Sequence, residues 1–312
     1  MPKGSCEDIV DVTIQWSPLW EHVEILSLQQ NMWLQQGTAD TQQFSQWLLE
    51  VGHGRNLDNS SQVRFPEHMR IVDENSLINS IYPAIDSNPP PPPEYFLNRM
   101  ILAPCNADVG EMNQKILKRM MGDVRQYISA DEMIQEAGED PNDGDNLPVE
   151  FLRSINSSSL PPGELNLKVS CPIILLQNLL PSVGLCHGTW LVVAWMLNRV
   201  LEAHLLGGEH DGEIAMIPQI TLTPSSRAAN VTFQFKHHRF LICLAFALSI
   251  NKSQGQLVTY IGLDAQVPVF AHGQLYVALS QAKLSQNIKI LLPENVLELI
   301  MPNVVYEEVL LN

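Results

Sequence analysis

The residues with the most chemical potential lie late in the chain, in Ile250-Asn251-Lys252-Ser253-Gln254-Gly255-Gln256. An ammonium, a hydroxyl, amides and a glycine that lets backbone approach closely are groups that grip phosphate. The same composition also describes an ordinary polar turn. A second segment, HGQLYVALSQ at 272–281, is short and amphipathic, and a third, LSLQQNMW at 26–33, carries little chemistry alone. Other reaction classes lack their residues. No GxxxxGK[ST] occurs, and Gly207-Gly208 and Gly52-x-Gly54 lack the following Lys, so they read as turns. Asp73-Glu74 follows only Ile71-Val72, too short an apolar approach for a magnesium-holding acid, and reads as a turn or helix start. The nine histidines form no metal-ligand pattern, and no Ser–His–Asp arrangement is suggested by spacing.

Bulk properties narrow the class. Cys6, Cys105, Cys171, Cys186 and Cys243 are far apart with no CxxC, which is neither a disulfide framework nor a zinc site. Five reduced, mostly buried thiols and a nuclear or cytoplasmic location are the expectation. No signal-peptide core and no run of about 18 apolar residues is present. The net charge of −16 opposes strong, free-standing nucleic-acid binding. That charge is uneven. Residues 131–150 hold eight acids and no Lys or Arg. Residues 221–290 hold one acid, Asp264, against Arg227, Lys236, Arg239, Lys252, Lys283 and Lys289, so a polyanion is expected to sit there.

The elements that must position these groups follow from pattern. Pro89–Pro93 reads as an extended surface spacer and 138–146 (GEDPNDGDN) as a mobile acidic loop. Between them, Met100–Ala103 reads as a buried strand. Ala107–Met121 reads as a helix, with Val109, Met112, Ile116, Leu117 and Met120 at helical spacing and Asn106 and Asp108 as caps. Leu165–Val169, Pro172–Leu176, Thr189–Val193, Arg199–Leu205 and Glu213–Ile217 read as short antiparallel strands. Leu241–Leu248, Thr259–Leu263, Leu275–Leu279 and Ile288–Leu292 read as strands and helices of a parallel sheet. The simplest organisation is an α/β domain interrupted by a small β insertion at about 147–228.

Several segments together resemble the Pif-family DNA helicases, superfamily 1B enzymes that move 5′ to 3′ on single-stranded DNA. INKSQGQ (250–256) and HGQLYVALS (272–280) are similar to two late helicase motifs. The likeness extends through LQQNM (28–32), 95–113, 150–189 and 235–256, and is nearest to the helicase part of Helitron-type transposable elements. It implies a second RecA-like domain, 21–146 and 229–298, interrupted by an SH3-like 2B domain at 147–228. Residues 1–20 would precede the domain and 299–312 would form a tail. It implies ATP and Mg2+ as the family's cofactors, with the phosphate loop and magnesium-binding acid upstream of this chain and none held by it alone. Carried over, Lys252, Ser253 and Gln254 would lie near DNA or nucleotide, and Gly255 and Gln256 at the nucleotide edge. Asn106 would lie by the DNA path, with His272 and Gln274 as weaker candidates. Each also reads as a scaffold residue without a ligand.

Two departures bear on activity. The resemblance places γ-phosphate arginines where this chain has Trp33 and Gln281. A fixed guanidinium there contributes roughly 10³-fold or more, and neither replacement carries charge. Leu257, where the family commonly has Thr, is a milder departure. The expectation is an inactive C-terminal helicase fragment with weak single-stranded DNA binding and no membrane partner. The alternatives are a subunit completed in trans by a separate N-terminal helicase half, a non-catalytic interaction module, or a truncated gene model of a full helicase.

Overall fold

A computed structural model describes residues 10–26, 38–55, 62–133, 163–223, 235–294, 296 and 298–310. Trp33, the LQQNM segment and the acidic stretch 138–146 lie outside the described residues. In chain order the strands are β1 Gln62–Arg64, β2 Arg70–Ile71, β3 Arg99–Ala103, β4 Arg125–Ile128, β5 Ala130–Met133, β6 Glu164–Leu167, β7 Pro172–Leu175, β8 Trp190–Met196, β9 Val200–Leu206, β10 Ile214–Pro218, β11 Ile220–Leu222, β12 Phe235–Arg239, β13 Ile242–Leu244, β14 Ala247–Ser249, β15 Tyr260–Asp264, β16 Ile288–Leu291 and β17 Ile300–Pro302. The α-helices are α1 Ala39–Gly52, α2 Glu74–Ile81, α3 Glu94–Leu97, α4 Asn106–Arg119 and α5 Gln274–Ser280.

The chain divides into two units. The first takes the described residues up to Ile81, Ile101–Cys105, and those from Ser249 onward. Its centre is a five-stranded sheet in the order β14–β3–β15–β16–β2, with β15, β16 and β2 parallel. β3 and β14 are the strands in which the chain passes from one unit to the other. Ile261, Leu263, Ile288 and Ile290 are buried along β15 and β16, as parallel strands covered on both faces require. α2 packs on this sheet through Leu77 and Ile81. At Gly262 a Cβ would meet Leu77 Cδ1 and Ile81 Cγ1 at 2.9 Å, so only glycine allows this approach. Asp73 starts α2 by accepting the Ser76 backbone N–H at 2.9 Å and its hydroxyl at 2.7 Å, which is the helix-start role read from sequence.

The second unit, Tyr82–Met100 and the described part of Asn106–Leu248, is rich in antiparallel strands. Its main sheet runs β10–β9–β8–β7–β13, with β11–β12–β5 and β4–β6 beside it in sequence. The five short strands expected between 165 and 217 are all present, each within a few residues. Leu241–Leu248 differs from its expectation. It splits, because Ile242–Leu244 pairs antiparallel with β7 and only Ala247–Ser249 joins the parallel-containing sheet. The proline run also differs: Pro89, Pro90 and Pro92 are exposed but Pro91 is buried.

α4 buries Met112, Ile116 and Leu117 on the expected stripe, with Asp108 in its first turn and Lys118 and Arg119 in its last, matching the helix dipole. Asn113 lies on that stripe too, 6% exposed. Its amide donates to the Ala247 carbonyl and accepts the Ala247 N–H, both at 2.9 Å. β14 ends the sheet, so Asn113 supplies the pairing that a further strand would supply. Asn113→Ala leaves both buried backbone groups unpaired. The expected loss is about 2–4 kcal/mol, read as a lower urea midpoint with unchanged slope.

Candidate functional site

The late motifs meet within the first unit. β14 runs directly into a 3-10 turn, Ile250–Ser253, with Ile250 and Ser253 buried and Asn251, Lys252 and Gln254 exposed. The Ser253 hydroxyl donates to the Ile250 carbonyl at 2.8 Å, so its proton is committed to the turn. The Gln256 N–H closes the loop on the Ser253 carbonyl at 2.9 Å. Gly255 adopts φ +84°, a conformation natural to glycine. The loop therefore offers outward an ammonium, two amides and the backbone around Gly255.

Helix α5 lies against this loop. The Val258 N–H donates to the Gln281 carbonyl at 3.0 Å, and Val258 bridges Ala282 in parallel. Gln281 closes the helix, is 7% exposed, and donates its side-chain amide to the Val277 carbonyl at 2.9 Å. At the other end Gly273 takes φ +68° as the helix enters. Gln274 is 2% exposed, and its Oε1 accepts the Phe270 and Ala271 N–H groups at 3.0 and 3.3 Å. Its Nε2 is buried without a hydrogen-bond partner. Tyr276 packs on α1, where a Cβ at Gly52 would sit 2.9 Å from its ring.

His272 is turned to the C-terminal segment. Its Nδ1 accepts the Tyr306 N–H at 2.9 Å, and the imidazole stacks on the Tyr306 ring at 5.4 Å and 13°. Of the carried-over residues, the structure thus brings Lys252–Gln256 together with Gln281, and ties His272 and Gln274 into their own surroundings. Asn106 stands exposed at the start of α4 in the second unit. The basic segment is also partly consumed. Arg239 is 2% exposed and donates to the Ser129 hydroxyl at 3.0 Å, and Lys289 donates to the His68 carbonyl at 2.6 Å. Lys236, Lys252 and Lys283 remain exposed.

Sequence reasoning missed Asn113, whose signal was an amide inside the apolar stripe of α4. Asp264, the one acid of the basic segment, is 6% exposed at the end of β15, where it accepts the Gln266 backbone and side-chain N–H groups at 3.3 Å. Among the described cysteines only Cys171 is fully buried, and burial pushes its thiol up to about 12, which leaves it unreactive. No cluster of three metal-ligating side chains occurs, and no helix is long and apolar enough to cross a membrane, among the described residues.

A partly parallel α/β sheet, α2 packed on it, and a separate antiparallel sheet define a RecA-like fold with a β insertion. Residues 1–62 match PIF1-like helicase, and residues 150–196 match the DNA helicase Pif1 2B domain. The chain is 29% identical over 194 residues to the rat ATP-dependent DNA helicase PIF1, covering 59% of this chain and 26% of that protein. The human protein is 28% identical over 195 residues, with the same shares. The chain therefore spans about a quarter of the length of the curated relatives it matches. The crystal structure of Pif1 helicase from Candida albicans superposes with TM-score 0.52 at 22% identity, over 80% of this chain and 53% of that one. Bacteroides Pif1 bound to ssDNA gives 0.50 at 18%, over 80% and 48%. The structural likenesses bear on the fold, and the sequence matches on ancestry. Over the matched residues the chain is similar to Pif-family helicases.

The His272 contact makes a pH prediction. Burial holds the imidazole pKa below its ordinary 6.5, and a nitrogen that accepts a hydrogen bond must be unprotonated. The folded state favours neutral imidazole, so the contribution is present above pH 6.5 and is lost as pH falls through the lowered value. Amide exchange at Tyr306 should quicken beyond the intrinsic trend as pH falls below 6.5. In His272→Phe that excess should vanish.

Proposed function

We propose that this chain is the second RecA-like and 2B part of an ATP-dependent 5′–3′ DNA helicase, that it retains weak single-stranded DNA binding, and that it does not turn over ATP alone. The observation that carries the reading is Gln281. At the position where the family resemblance expects a γ-phosphate arginine, a neutral side-chain amide is folded inward onto the Val277 carbonyl, while the Gln281 backbone carbonyl accepts the Val258 N–H of the loop. Neither 250–256 nor 272–281 contains an arginine. The loop's ammonium and amides could hold a phosphate, but without a guanidinium they lack the fixed charge that stabilises a departing phosphoryl group, so no hydrolytic step is assigned to these residues.

DNA binding is supported by the relatives' name, ATP-dependent DNA helicase, and by the Bacteroides Pif1 described as bound to ssDNA. Lys252 is the exposed cation of the loop, and the −16 net charge keeps the binding weak.

Anisotropy of a fluorescein-labelled oligothymidine tests this. Binding is expected on the order of micromolar or weaker, falling steeply with salt, and Lys252→Ala should both weaken it and shallow the salt slope by about one. DNA-stimulated ATP turnover by the chain alone would defeat the reading. Turnover that appears only on mixing with a free N-terminal helicase half would replace the inactive fragment with a subunit completed in trans.

A further inference from the structure

The outer face of the β8–β9–β10 sheet carries a break in its register. β8 and β9 pair regularly from Trp190↔Leu206 to Val193↔Ala203, and then Trp195, not Ala194, pairs with Glu202. Ala194 is the extra residue of a β-bulge. In an unbroken ladder Trp195 would oppose Leu201, which is fully buried, and would face inward. The bulge turns it to the other face, where bulges commonly re-aim a side chain. Trp195 is 61% exposed as a result.

Register across β10 completes the patch. Glu202 lies opposite Trp195 on one side and Met216 on the other, so indole, carboxylate and thioether form one outward row. Ile214, opposite His204, stands in the neighbouring row. Met216 and Ile214 are 56% and 61% exposed, and the face is therefore apolar around a central acid. Charge decides what could cover it. Residues 190–218 hold Glu202, Glu209, Asp211 and Glu213 against one arginine, Arg199, in the β8–β9 hairpin. A phosphate backbone would be repelled by this set. A cation would be held twice, over the indole face and beside the carboxylate.

We propose that this face is a docking surface for a basic, partly apolar peptide segment of another protein. One arginine or lysine would seat over Trp195 against Glu202, and flanking apolar side chains would rest on Met216 and Ile214. The site is independent of nucleotide and of the Lys252 loop.

The test uses the full chain and two fluorescein-labelled peptides, one alternating arginine with leucine and one alternating glutamate with leucine, read by anisotropy. The arginine peptide should bind saturably and the glutamate peptide should not. Trp195→Ala and Glu202→Gln should each weaken binding about two- to five-fold. Glu94→Gln, which removes the same charge from an exposed position elsewhere in the second unit, should leave it unchanged. Both Trp195 and Glu202 lie on the solvent face, and unchanged thermal melts check that the variants stay folded. An equal effect from Glu94→Gln, no effect from Trp195→Ala, or no saturable binding of the arginine peptide would overturn the proposal. So would a labelled oligothymidine that binds less well to Trp195→Ala and better to Glu202→Gln, since that pattern belongs to a nucleic-acid platform.

Discussion

The pairing of Asn113 with Ala247 is the constraint on which β14 depends, the strand that runs into the Lys252 loop. Ala247 is fully buried, so its N–H and C=O cannot turn to water. β14 ends its sheet, and an end strand offers one side of its backbone to nothing regular. A single side-chain amide satisfies both groups at 2.9 Å. The amide orientation follows from the pairing, because only one of the two flips gives both bonds. The clamp holds Ala247 in β14, and the residue after that strand, Ile250, begins the Lys252 loop. In that loop Ile250 and Ser253 lie inward and Lys252 outward.

The loop is stiffened from the far side as well. Val258 is held by the Gln281 carbonyl, and Gln281 by the turn of helix before it. Gln274 braces the entry to that helix with its carbonyl oxygen, and His272 ties the same entry to Tyr306. Polar residues that resemble ligand contacts in sequence act in the folded chain as caps and ties. This is the ordinary fate of polar groups in a buried turn, because each one left unpaired costs about 1–3 kcal/mol.

Much of the fold could be read from residue pattern because the pattern is local. Strands β6, β9 and β10 alternate more and less buried positions, and α4 repeats its apolar residues at helical spacing. Leu241–Leu248 misled for a physical reason. A continuous apolar run fits any strand buried on both faces, and its partner, β7, is about seventy residues away in sequence. The bulge at Ala194 is equally silent, since one inserted residue changes no composition yet reverses which face Trp195 occupies. Charge misled in another way. Arg239 and Lys289 count toward a basic segment, but one is buried on Ser129 and the other is spent on the His68 carbonyl. A tally of charges cannot distinguish a cation offered to a ligand from one that closes a gap.

Gln281 closes helix α5 in a buried position. At 7% exposure, a side chain there must find its partner inside the protein or leave the pocket. Glutamine finds it in the Val277 carbonyl, one helical turn back, and the helix end is complete without a ligand. An arginine on the same backbone could not lie there alone, because a buried guanidinium without an anion is costly. It would have to reach outward, and it would be stable only when something negative met it. An arginine there would leave the helix end incomplete without an anion, whereas glutamine makes it self-sufficient. Glutamine at this position therefore fixes the helix end, and with it the Val258 contact, from within the chain.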